Sequence, residues 1–196
     1  MNIPNRLTLL RIVMTPFFLL TLLWEFPFHY FVALFLFIAA SLTDMWDGMI
    51  ARKQNLITDF GKFLDPIADK MLTTSAFLGF MVRSHGIGIV WITFAVLTRE
   101  FMVASIRMIA AKKGSVIAAD MFGKVKTVVQ MVAIIMVMAF EGFMDIFACY
   151  LPSLCFLNTP LEIVYNVALW ISAVLTVISG VNYWWKNRSC MDFSKL

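Results

Sequence analysis

Asp44, Asp47, Asp65 and Asp69 are the residues whose type and spacing suit chemistry, because they stand beside segments otherwise apolar enough for lipid. Carboxylates at the edge of a membrane span are costly unless something neutralises them, which makes them functional candidates. On a helix, Asp44, Asp47, Gly48 and Ala51 fall at i, i+3, i+4 and i+7, so two acids and two minimal side chains share one face. Asp65 and Asp69, one turn apart, form a second acidic face. Clustered acids attract a cation, and hard divalent ions such as Mg²⁺ or Mn²⁺ prefer oxygen ligands. A two-metal site needs carboxylates converging from more than one element, as two meeting helices would provide. Gly48, Ala51 and Gly61 leave backbone open to the close approach of a bulky polar ligand, and a nucleotide fits that description.

The elements that must position these acids are membrane spans. Hydrophobic residues make up 61% of the chain and charged residues 14%, with a mean hydropathy of +0.85, well outside the soluble range. Crossing about 30 Å of hydrocarbon takes about 20 apolar residues. Six such runs are expected, at 7–24, 29–51, 66–83, 87–111, 125–149 and 161–184. The first lacks a small-residue cleavage site and is expected to be retained. The expectation is therefore an all-α, polytopic integral membrane protein, one domain over 1–196, with about six transmembrane helices around a cytoplasm-facing polar cavity.

Basic residues set the orientation. Arg6 and Arg11, then Arg52, Lys53 and Lys62, then Lys112, Lys113 and Lys124, then Lys186, Arg188 and Lys195 all fall on one side of this arrangement. The alternate connections carry Glu25, Arg83, His85, Glu141, Asp145 and Glu162, so Arg83 is the strongly basic exception there. The positive-inside rule then makes both termini and the Asp44–Asp69 stretch cytoplasmic. The net charge of +4 is spread beside apolar spans, which reports topology and argues against a nucleic-acid partner. Trp24, Trp91, Trp184 and Trp185 lie near expected span ends and read as interfacial anchors. His29 and His85 are placed on the outer side, far from the motif acids. Cys149 and Cys155 share an outer connection, and their pairing is left open; Cys190 lies on the cytoplasmic tail.

A second polar group lies in spans four and five: Arg99, Glu100, Arg107, Lys124 and Lys126. Charges embedded at that depth need partners. Glu100 reads equally well as a structural ion-pair partner or as part of a site. Arg107, Lys124 and Lys126, with no matching acids nearby in sequence, read as an anion pocket suited to a phosphate.

The order Asp44-x2-Asp47-Gly48-x2-Ala51-Arg52-x8-Gly61-x3-Asp65-x3-Asp69 resembles, at every defining position, the signature of the CDP-alcohol phosphotransferases. The segments Arg99-Glu100-Phe101, Ser105-Ile106-Arg107 and Gly123-Lys124-Val125-Lys126-Thr127, with the opening through Thr8 and Arg11, are similar to bacterial members that use a glycerol phosphate acceptor, up to about residue 135. The resemblance implies transfer of the phosphatidyl group of CDP-diacylglycerol to sn-glycerol 3-phosphate with release of CMP. It assigns Asp44, Asp47, Asp65 and Asp69 to two divalent cations, Mg²⁺ or Mn²⁺, with Asp69 also the general base. It assigns Asp47, Gly48, Ala51, Arg52 and Gly61 to the CDP moiety, and Thr8, Arg11, Arg107, Lys124 and Lys126 to the acceptor phosphate. It further implies a place in a bacterial inner membrane, contact with membrane lipid and a homodimer.

Attack is expected as a sequential single displacement, since the motif has no Ser, Cys or His nucleophile beside its acids, although the aspartates themselves could serve. Within the same chemistry the acceptor could instead be inositol phosphate, serine or phosphatidylglycerol. A small cation transporter is the alternative from another class; it predicts polar positions continuing to the outer side and two matching halves. The outer halves of spans two to five read as apolar, and no halves match.

Overall fold

In lipid a long apolar segment must satisfy its own backbone, and the helix does so within one segment. The computed structural model follows that constraint, and it describes residues 3–54, 59–112 and 121–188, with side-chain surroundings for 7–43, 67, 68, 70–110 and 121–188. Its helices are α1 (Ile3–Leu23), α2 (His29–Gln54), α3 (Asp59–Val82), α4 (Ile89–Lys112), α5 (Met121–Tyr150) and α6 (Asn158–Lys186), with a 3-10 turn at Pro152–Leu157 before α6. Among the described residues there is no strand. Ile89–Ala110, Met121–Tyr150 and Pro152–Lys186 are long and apolar enough to cross a membrane. Leu7–Leu23, His29–Thr43 and Lys70–Val82 are shorter apolar stretches. Apolar side chains such as Phe35, Phe94, Phe101 and Val128 point outward from mid-helix, where hydrocarbon rather than water would suit them. This is an all-α, polytopic membrane architecture.

The six expected spans all correspond to helices, with one consequential difference at their ends. The stretch between spans two and three is not a loop around the acids, because α2 continues to Gln54 and α3 begins at Asp59. The motif is therefore carried on two helices joined by residues 55–58, which lie outside the described residues.

Helix packing runs α1 against α2 and α3, α2 against α5, α5 against α6, and α6 against α4, with α3 also touching α4 and α5. Among the described residues, α4 and α5 make no close backbone approach. The main core joins Phe18, Phe37, Phe77, Phe80, Ile134 and Leu169 from five helices. It occupies the half of the bundle remote from the motif. The Phe18 and Phe37 rings stand 5.7 Å apart. A smaller cluster of Val103, Ile106 and Tyr183 joins α4 to α6 nearer the motif end.

The end of the bundle remote from the motif, expected to be the outer one, is more polar than its sequence suggests. Arg83 donates to the last carbonyls of α1, from Nε to Leu22 O at 3.2 Å and from a terminal nitrogen to Leu23 O at 3.1 Å. It also pairs with Glu25 at 2.8 Å. The one strongly basic residue on that side is thus a cap on otherwise orphaned helix carbonyls. Glu141 and Asp145 do not lie in a connection; they belong to the last turns of α5. Glu141 is buried, and its carboxylate meets His85 Nδ1 at 3.1 Å, while the other ring nitrogen of His85 bonds the Tyr30 hydroxyl. The expectation of apolar outer halves is corrected accordingly. Burying such groups is tolerable because they satisfy one another. Among the described residues, the main apolar core lies between this network and the motif end.

Both histidines sit at this outer end, about 20 Å or more along their helices from the motif acids. Cys149 and Cys155 are not bonded to each other in this structure; Cys190 lies outside the described residues. Trp24, Trp91, Trp184 and Trp185 are exposed, as anchors must be, and Arg188 stacks on the Trp185 ring at 4.6 Å.

The turn from α3 into α4 depends on backbone freedom. Gly88 has φ +71°, and a Cβ there would stand 2.9 Å from the Trp170 ring. That ring is held in turn by its own Nε1 donating to Ile87 O at 3.0 Å. Gly88→Ala should destabilise the protein by about 1–3 kcal/mol. Thermal unfolding in detergent checks this, and an unchanged midpoint would mean that the turn relaxes freely.

Candidate functional site

The connection between α2 and α3 is only residues 55–58, so these helices return antiparallel and their positions can be matched by distance from it. Asp44 stands ten residues before Gln54, and Asp69 ten residues after Asp59. Asp47 and Asp65 stand seven and six residues away from the same ends. At 1.5 Å per residue, each acid of α2 is level with one of α3, to within about one residue. The surroundings of Asp44, Asp47, Gly48, Ala51, Arg52, Gly61, Asp65 and Asp69 lie outside the described residues, so their placement here is that of the helix backbone.

The residue types would suit divalent cations: four aspartates, on two helices, at matched distances along the backbone from the connection. Among the described residues no group of three or more His, Cys, Asp or Glu is placed to hold a metal ion. Lys70, which follows Asp69 directly, is engaged elsewhere, with its ammonium 2.6 Å from Glu100 Oε2.

Glu100 is the centre of the described polar half. Its second oxygen, Oε1, accepts from Lys126 Nζ, and Arg99 meets the same oxygen at 3.1 Å. One carboxylate therefore collects cations from α3, α4 and α5. Arg99 extends the connection to α6, donating to Ser179 Oγ at 2.9 Å. Gly180 makes that approach possible, since a Cβ there would lie 2.9 Å from Arg99 Cγ. Because α4 and α5 do not approach through their backbones, the long Lys126 side chain spans the interval between them.

The other expected phosphate-binding residues are distributed around this hub. Thr8 and Arg11 are almost fully buried on α1, and each is engaged with another residue. Arg107 is exposed and donates from Nε to the Tyr183 hydroxyl at 3.2 Å, with its guanidinium 5.7 Å from that ring. Lys124 is exposed near the start of α5, whereas Lys126 is 4% exposed and turned inward. The acid partner of Lys126 was not visible from sequence neighbours, because Glu100 lies on another helix.

Sequence reasoning also passed over α6. Ser172, Thr176, Ser179 and Gly180 recur at i, i+4, i+7 and i+8, and the three hydroxyl residues are buried. That small-residue face was the available signal for a close helix contact. Tyr183, one turn beyond Ser179, adds the hydroxyl that receives Arg107.

A model of the CDP-alcohol phosphatidyltransferase family matches residues 1–178. The chain belongs to this family. The match extends well beyond residue 135 and takes in most of α6, so the likeness is longer than the motifs alone indicated. The chain is 36% identical to a Bacillus subtilis protein named CDP-diacylglycerol–glycerol-3-phosphate 3-phosphatidyltransferase, with 98% of each covered. A Rickettsia bellii protein of the same name is 36% identical, with 98% of this chain and 97% of that protein covered. A Mycobacterium tuberculosis protein named probable phosphatidylglycerophosphate synthase is 40% identical, over 93% of this chain and 79% of that protein.

Proposed function

We propose that this protein transfers the phosphatidyl group of CDP-diacylglycerol to the primary hydroxyl of sn-glycerol 3-phosphate, giving phosphatidylglycerol phosphate and CMP. The observation that carries the reading is the likeness, over nearly the full length of both chains, to relatives named for that reaction. The aspartate register and the cations on α4 and α5 supply groups suited to each part of it.

In this reading Asp44, Asp47, Asp65 and Asp69 hold two divalent cations, Mg²⁺ or Mn²⁺. When bound, these ions would neutralise charge on the pyrophosphate and on departing CMP. Gly48, Ala51 and Gly61 leave room for the cytidine and its phosphates, and Asp47 and Arg52 bind that moiety. Thr8, Arg11, Arg107, Lys124 and Lys126 hold the acceptor phosphate, with Lys126 braced by Glu100. Asp69 takes the proton from the acceptor hydroxyl. The freed oxygen forms a bond to the phosphatidyl phosphorus as the bond from that phosphorus to CMP breaks. Acyl chains remain in the bilayer throughout. The motif end faces the cytoplasm of a bacterial cell, with both termini on that side, and the protein works in the inner membrane as a homodimer.

Detergent-purified protein should release CMP from CDP-diacylglycerol with sn-glycerol 3-phosphate, and not with inositol phosphate, serine or phosphatidylglycerol, when Mg²⁺ or Mn²⁺ is present. Chelation should abolish the release. Selective turnover with another acceptor would overturn the acceptor assignment, and no turnover with any of them would overturn the reaction. Asp69→Asn should lower kcat by about a thousandfold while CDP-diacylglycerol binding stays within a few-fold. Arg107→Ala should raise the KM for glycerol phosphate roughly tenfold or more, and an unchanged KM removes Arg107 from the pocket.

A further inference from the structure

Glu100 has no assigned part in the reaction proposed above, yet it is the one described carboxylate that collects Lys70, Arg99 and Lys126. Among the described residues three cations meet this one anion, on helices that carry or adjoin the motif assigned above to divalent cations. Lys70 is the residue next to Asp69 on α3. A lysine ammonium on a flexible four-carbon stem can reach a carboxylate on a neighbouring helix. Glu100 lies across on α4 and takes that ammonium at 2.6 Å. Its carboxylate is only 15% exposed, so water screens the interaction weakly.

We propose that Glu100 is a charge-balancing and positioning residue for the aspartate motif: it draws Lys70 away from the metal-binding acids and holds Lys126 inward, so that divalent cations meet the carboxylates without a competing ammonium. The proposal rests on the metal assignment made for the reaction above. A unit charge about 10 Å from a divalent ion, at an effective dielectric between those of protein and water, changes its binding about tenfold. Neutralising Glu100 adds one positive charge locally and releases Lys70; removing Lys70 as well restores the balance.

The experiment is Mn²⁺ binding by calorimetry to the full-length, substrate-free protein in detergent, with the Mn²⁺ dependence of CMP release measured in parallel. Glu100→Gln should weaken Mn²⁺ binding about tenfold, Lys70→Met should not weaken it, and the double variant should recover affinity to within about threefold of the parent. Thermal midpoints show which variants are folded. Should Glu100→Gln fail to fold, Glu100→Asp, which keeps the charge but draws it back by one methylene, should weaken Mn²⁺ binding less than tenfold and be relieved by Lys70→Met. A merely structural role predicts the opposite, because removing a second member of the ion cluster would leave binding no better. Failure of Lys70→Met to rescue either Glu100 variant, or unchanged Mn²⁺ affinity in a folded Glu100→Gln, overturns the proposal. If the parent binds Mn²⁺ but releases no CMP with glycerol phosphate, the acceptor or reaction reading fails while the charge-balancing role stands. If the parent binds no Mn²⁺, the metal assignment and this role fall together.

Discussion

The Glu100 carboxylate is the constraint around which the polar half of this protein is arranged. In a bundle whose outer surface suits lipid, unpaired interior charge is costly, and here a single carboxylate is the partner of several cations. Because Lys70, Arg99 and Lys126 come from three different helices, sharing the anion also joins those helices. The bond from Arg99 to Ser179 adds α6, and the close approach over Gly180 lets it form. Where the described residues of α4 and α5 make no close backbone approach, Lys126 spans the interval.

The remaining structure divides by the same economy. Apolar side chains concentrate in the outer half, where Phe18, Phe37, Phe77 and Phe80 fill the space between helices and leave no need for charge. Beyond them, the ends of α2, α3 and α5 bury Tyr30, His85 and Glu141 as one hydrogen-bonded set. In the motif half, the described residues form a smaller apolar cluster of Val103, Ile106 and Tyr183. Rigidity there comes from ion pairs on the α3, α4 and α5 side and from Tyr183 against Val103 and Ile106 on the α4 and α6 side.

Much of this was legible in the chain because local rules govern it. Helix positions followed from apolar length, since a span must satisfy its own backbone. The two acidic faces followed from helical periodicity, and the family followed from fixed spacing around Asp44–Asp69. The reading failed where the deciding neighbour was distant. Glu141 looked like an exposed acid until α5 carried it against His85, and Lys126 looked unpaired until α4 brought Glu100 to it. Arg83 looked like an exception to charge asymmetry, but it caps α1.

By itself, then, the sequence determined the class, the number and span of the helices, and the acidic motif, because each depends on residues within a few turns of one another. Only the tertiary structure decided which cations are committed to which anion, which polar groups are buried together at the outer end, and where helices approach closely enough to require glycine. Those outcomes depend on groups far apart in the chain, 26 residues for Lys126 and Glu100 and 80 for Arg99 and Ser179, brought together by helix packing. No local pattern encodes such a meeting; the energy of burying the charge selects it.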